Sequence, residues 1–77
     1  MREYATNRLQ WLLGQLAAGW RLEAPVIERP IDRGSGGWTS AFEFILRHDR
    51  GCQVVAVHDC PEVRSFIDER GLESIAL

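Results

Sequence analysis

A chain of 77 residues with 45% hydrophobic and 26% charged residues has the composition of one soluble globular domain, covering 1–77. Its formal net charge of −2 argues against non-specific binding to nucleic acid, which draws its affinity from neutralising phosphates. No apolar run approaches the roughly 20 residues that cross a bilayer, and no apolar leader follows Met1-Arg2.

All nine basic residues are arginine. The simplest reading is the codon usage of a GC-rich, bacterial-like genome. The physical consequence is that every cation can pair bidentately with a carboxylate or stack on an aromatic ring. Two cysteines without an export signal read as reduced thiols of a cytoplasmic protein.

The first helix is expected over about residues 3–18, because Leu9, Leu12, Leu13, Leu16, Ala17 and Trp20 repeat at the spacing of one buried stripe. Asn7 with Gln10 three residues on suggests a capping box, and Gly19 suits the left-handed residue after the helix. Trp11 falls off the stripe and is marked as a candidate contact. Residues 20–32 read as a strand whose apolar residues change parity near Pro25. Pro25 and Pro30 donate no ladder bond, so an edge strand with a bulge is expected. Arg33-Gly34-Ser35-Gly36-Gly37 reads as a flexible hairpin connection. No helix follows it, as one would after a phosphate-cradling loop.

Two strands follow, at about 38–48 and 52–58, and Gly51 suits the last position of a three-residue loop. That loop pairs His48 with Cys52, Leu46 with Val54, Phe44 with Ala56 and Phe42 with His58. Phe42, Phe44, Leu46 and Val54 then form the core face, while Ile45, Val55 and Val57 lie on the opposite one. A second helix is expected over about 60–70, opened by Asp59 and Glu62 as a capping box with Pro61 in its first turn, and closed by Gly71. Val63, Phe66 and Ile67 form its apolar stripe. Residues 72–77 are apolar enough to dock, as a short extra strand or as a cover for the sheet. The expected fold is a two-layer α+β domain of αβββα order: a three-stranded antiparallel sheet with both helices on one face.

His48, Cys52, His58 and Cys60 have the right types for zinc, but the hairpin separates them. His48 and Cys52 lie at its turn, and His58 and Cys60 lie roughly 20 Å away at its open end. Zinc needs its ligands at about 2.0–2.3 Å, and a Cys52–Cys60 disulfide needs Cα atoms within about 7 Å. No metal or cofactor is expected. Cys60 at a helix N-terminus, two residues after His58, suggests a reactive thiolate, but Asp59 beside it opposes ionisation. Asp68, Glu69, Glu62 and Glu73 read as a solvated helix surface without an apolar pocket to raise a pKa.

The element order of helix, three strands and helix resembles the double-stranded RNA-binding domain in topology. That family grips phosphates with a lysine-rich start of its last helix. The matching stretch here, Asp59-Cys60-Pro61-Glu62-Val63-Arg64, holds two acids and one arginine, so the family's function does not carry over with the topology.

The expected function is a non-catalytic protein-interaction or accessory module, self-associating as a homodimer or binding another protein through its sheet face. Ile45, Val55 and Val57 are its candidate interface, with Trp38 and Arg33 at the rim. The alternatives are a nucleic-acid module using Arg21, Arg29, Arg33, Trp38 and the glycine loop, and a small thiol enzyme built on Cys60.

Overall fold

The computed structural model describes residues 2–32, 34–49 and 51–77, the side chains of 2–6 and 35 excepted. Helix α1 (Arg2–Ala17) is followed by β1 (Arg21–Asp32), β2 (Trp38–His48), β3 (Gly51–His58), α2 (Pro61–Glu69) and β4 (Ser74–Ala76). The sheet is mixed, in the order β3-β2-β1-β4. β1 to β3 form an antiparallel meander, and β4 pairs in parallel with β1. The fold is thus α+β with two helices. The expected three-stranded antiparallel sheet is corrected to four strands with one parallel pair.

Both helices stop where glycine permits it. Gly19 has φ +104°. Its N–H donates to Leu16 O at 3.2 Å, and Trp20 N–H donates to Gln15 O at 3.1 Å. Gly71, at φ +61°, repeats the arrangement with Gly71 N–H to Asp68 O and Leu72 N–H to Ile67 O, both 3.0 Å. These paired bonds satisfy the last carbonyls of each helix and turn the chain back onto the sheet. The helix starts differ from expectation. α1 begins at Arg2, so Asn7 lies inside it and caps nothing. Cys60, not Asp59, is the N-cap of α2 and makes no side-chain cap bond; the Asp59 carboxylate is engaged by Arg64, accepting from Nε at 2.7 Å and Nη2 at 2.9 Å.

The hairpin between β2 and β3 turns on two residues, not three: His48 pairs with Gly51, Ile45 with Val54, Phe44 with Val55 and Phe42 with Val57. A one-residue slip moves every side chain of a strand to the other face. Val55 and Val57 therefore join Phe42, Phe44 and Leu46 under the helices, and Val54 turns away from them. Leu9 and Leu12 of α1 and Val63 and Phe66 of α2 complete this core, with Val26 and Cys60. The Phe44 and Phe66 rings meet edge-on, with centroids 5.7 Å apart.

β1 is bulged as its prolines suggest. Its register against β2 shifts between Glu23 and Ile27, and Ala24-Pro25 is cis. Beyond the bulge Val26 points into the core and Ile27 to the open side. Contrary to expectation β1 is not an edge strand over its middle, since Val26–Glu28 pair with β4. Val26 N–H donates to Glu73 O, and Leu77 N–H to Glu28 O, so even-numbered residues face β4 there. Pro30 falls on that same side past the end of β4, where its missing N–H leaves no bond unmade. The glycine loop contains a short 3-10 turn, Gly34–Gly36, and Gly34 N–H donates to Asp32 Oδ1 at 2.7 Å.

The register has a direct test. Val57→Asp buries a charge where the side chain is 0% exposed and abolishes the folded state. Val54→Asp, at a residue 63% exposed, changes the stability of the dilute, unassociated protein by less than about 1 kcal/mol. Urea unfolding followed by circular dichroism reads both. By the same measurement Phe44→Ala costs about 3–5 kcal/mol.

Candidate functional site: the uncovered sheet face

Among the described elements both helices lie on one side of the sheet, and the other side carries a strip of aliphatic side chains. Its members come from all four strands. Ile75 of β4 stands opposite Ile27 of β1, and Ile45 of β2 opposite Val54 of β3. Ile27 and Ile45 are half-buried by their neighbours, while Ile75 is 44% exposed. Ile31 continues the row along β1. The segment after α2 does not fold over this face: Leu72 packs against the core from the helix side, and Ser74–Ala76 extends the sheet at its edge.

Two ion pairs frame the strip, each running diagonally between β1 and β2. Arg29 donates to both oxygens of Glu43, Nε to Oε2 at 3.0 Å and Nη2 to Oε1 at 3.2 Å. Arg47 grips Glu23 in the same two-pronged way. Bidentate geometry gives such exposed pairs more order than a single lysine contact would. The bond from Arg47 holds the Glu23 carboxyl below the usual carboxylate range, against a smaller opposing effect of desolvation.

The sequence-predicted site residues divide. Ile45 stands on the open face as expected. Val55 and Val57 do not: the slipped register buries them at 3% and 0% exposure, and Val54 takes their place. Val54 was missed because β3 is apolar on both faces. Only the length of the turn decides which face is which. Trp38 shares the parity of Phe42 and so lies on the helix side, opposite Asp32 and 72% exposed, away from the open-face strip. Arg33 lies outside the described residues.

The arginines of the nucleic-acid reading are partly committed elsewhere. Arg29 is held by Glu43, and Arg21 stands opposite Arg47. The thiol reading meets a buried Cys60, part of the core cluster beneath the start of α2. Among the described residues no three His, Cys, Asp or Glu side chains group as metal ligands. His48 instead lies against Trp20, ring centroids 5.1 Å apart, and Cys52 is exposed on the opposite face of the hairpin. An open depression of about 370 Å3 between β1 and α2 is lined by Glu28, Phe42, Arg64 and Asp68. Arg64 is engaged there by Asp59 and approaches Glu28 at 3.8 Å. Among the described residues no helix is long and apolar enough to cross a membrane.

Two outcomes follow from these placements. Iodoacetamide alkylates Cys52 in the native protein, whereas Cys60 reacts only at the rate of unfolding; mass spectrometry of the two peptides separates them. Folding lowers the Glu23 pKa, so its stabilisation is full above the ordinary glutamate value and is lost as pH falls through the lower, folded value. Glu23→Gln therefore flattens the acid limb of the stability–pH profile in urea titrations and leaves its slope near neutrality unchanged. No protein-family model, curated protein or solved structure matches this chain, so its reading rests on its own geometry.

Proposed function

We propose that the chain is a non-catalytic protein-interaction module, in an accessory or regulatory role, that self-associates through the uncovered face of its sheet. The observation that carries this reading is the strip Ile75–Ile27–Ile45–Val54, framed by Arg29–Glu43 and Arg47–Glu23. A sheet face of a two-layer domain meets water unless another surface covers it, and contiguous aliphatic side chains on such a face mark interfaces.

Charge favours a second copy as the partner. Each frame carries both signs, so a copy related by a two-fold axis meets opposite charge as readily as like charge. The apolar strips then cover each other. Bidentate pairs at the rim keep water from the strip without adding a net charge that would repel a copy.

Sedimentation of a dilution series tests the reading. Ile45→Glu places a carboxylate in the middle of the strip, and self-association weakens by at least about tenfold, near 1.4 kcal/mol. Circular dichroism shows the fold retained. A wild-type protein that is monomeric at every concentration, or an Ile45→Glu variant that associates as tightly as wild type, removes the face as the self-association surface.

A further inference from the structure

The two edges of the sheet are built differently. On the β4 side only three residues pair, and Pro30 occupies the next outward-facing position of β1. These are familiar ways of blunting an edge. The β3 edge has neither. β3 pairs with β2 without a bulge over its full length, Gly51–His58, and Cys52-Gln53-Val54-Val55-Ala56-Val57 contains no charge and no proline.

The phase of the ladder identifies which groups are open. Asp59 N–H donates to Ser40 O at 2.9 Å, continuing the bonded pairs of the β2–β3 ladder. Bonded and non-bonded pairs alternate in an antiparallel ladder. Gln53, Val55 and Val57 therefore spend their main-chain groups on β2. Cys52, Val54 and Ala56 turn their N–H and C=O groups outward, and among the described residues these meet no other strand.

Large apolar side chains flank this row. Trp11 of α1 is 46% exposed and borders an open groove of about 470 Å3 with Val54 and Val55. Tryptophan is enriched at the centres of interfaces, since it buries a large area with little rotamer entropy to lose. Its displacement from the buried stripe of α1 puts it beside the one full-length open edge.

We propose that β3 pairs antiparallel with β3 of a second copy, about a two-fold axis through Val54. Val54 then stands opposite Val54 of the other copy, and Cys52 opposite Ala56. This register uses all the outward groups of those three residues, each donating once and accepting once. Along the paired strands no like charges face one another, because Cys52, Val54 and Ala56 are uncharged, although Arg8 also lines the adjoining groove. The two sheets become one, and the tryptophans cover the seam on the helix side. The aliphatic strip also runs on from one copy to the next through the facing valines. This contact is made by main-chain groups along the edge; it shares only Val54 with the open-face strip and does not depend on pairing through that face.

Amide hydrogen exchange on the wild-type protein tests the edge directly. Pairing predicts that the Cys52, Val54 and Ala56 amides exchange at least about tenfold slower in concentrated than in dilute solution. Ile45→Glu leaves that protection in place, which separates the edge from the face. Ala56→Pro removes an outward donor while sparing the β2 ladder, and lowers the mass measured by light scattering. If these three amides exchange freely at every concentration while Gln53, Val55 and Val57 stay protected, the edge contact is overturned. A folded Ala56→Pro protein of wild-type mass overturns it equally, and where that variant fails to fold, the wild-type exchange pattern alone decides.

Discussion

The two-residue turn between His48 and Gly51 governs most of what the molecule presents to its surroundings. It pairs Phe44 with Val55 and Phe42 with Val57, and so assembles the side chains on which both helices rest. One more residue in the turn would bring Val54, Ala56 and His58 under the helices and leave two valines in water. The core would then lose two of its buried members, Val57 among the fully enclosed ones. The helices, their caps and the open face all presuppose the shorter turn.

The bulge in β1 does complementary work. Before it Leu22 packs against the helix-side core, and after it Val26 enters the same core while Ile27 turns outward. The strand thereby serves both faces. Its first half is a conventional amphipathic strand, and its second half gives its aliphatic residues to the open side and Glu28 to the side of α2. Arg64 answers Glu28 from that helix, bonded to Asp59 and stacked over the Phe42 ring at 5.3 Å. A single guanidinium thus ties the start of α2 to the central strands, a role that a lysine could not fill with the same planar geometry.

Much of this was legible in the residues. The leucine spacing of α1, the glycines after both helices, the apolar stripe of α2 and the disruption at Pro25 each have one strong local cause. The register of the second hairpin has none. Asp49-Arg50-Gly51 is compatible with two loop lengths, and Val54, Val55 and Val57 are aliphatic on both parities, so hydrophobic pattern does not choose between them. The choice belongs to the helices, which need a filled surface opposite Leu12 and Phe66. The short strand after α2 was one of two expectations for residues 72–77, but its parallel pairing with β1 was hidden: three residues carry almost no periodicity, and their partner lies far back in the chain. Of the interface residues expected from sequence, Ile45 depended only on the alternation within β2 and kept its face, whereas Val55 and Val57 depended on the turn and did not.

β4 gives the sheet an unequal pair of borders. It is three residues long, exposed throughout, and fastened to β1 by main-chain bonds, with none of its side chains in the core. Segments of this kind open at low free energy and independently of the rest. Because Val26 is locked in the core from the other side, releasing β4 would bare the backbone of β1 without disturbing the helices. One border of the sheet therefore rests on the core through Val55 and Val57, and the other is held by main-chain bonds to β1.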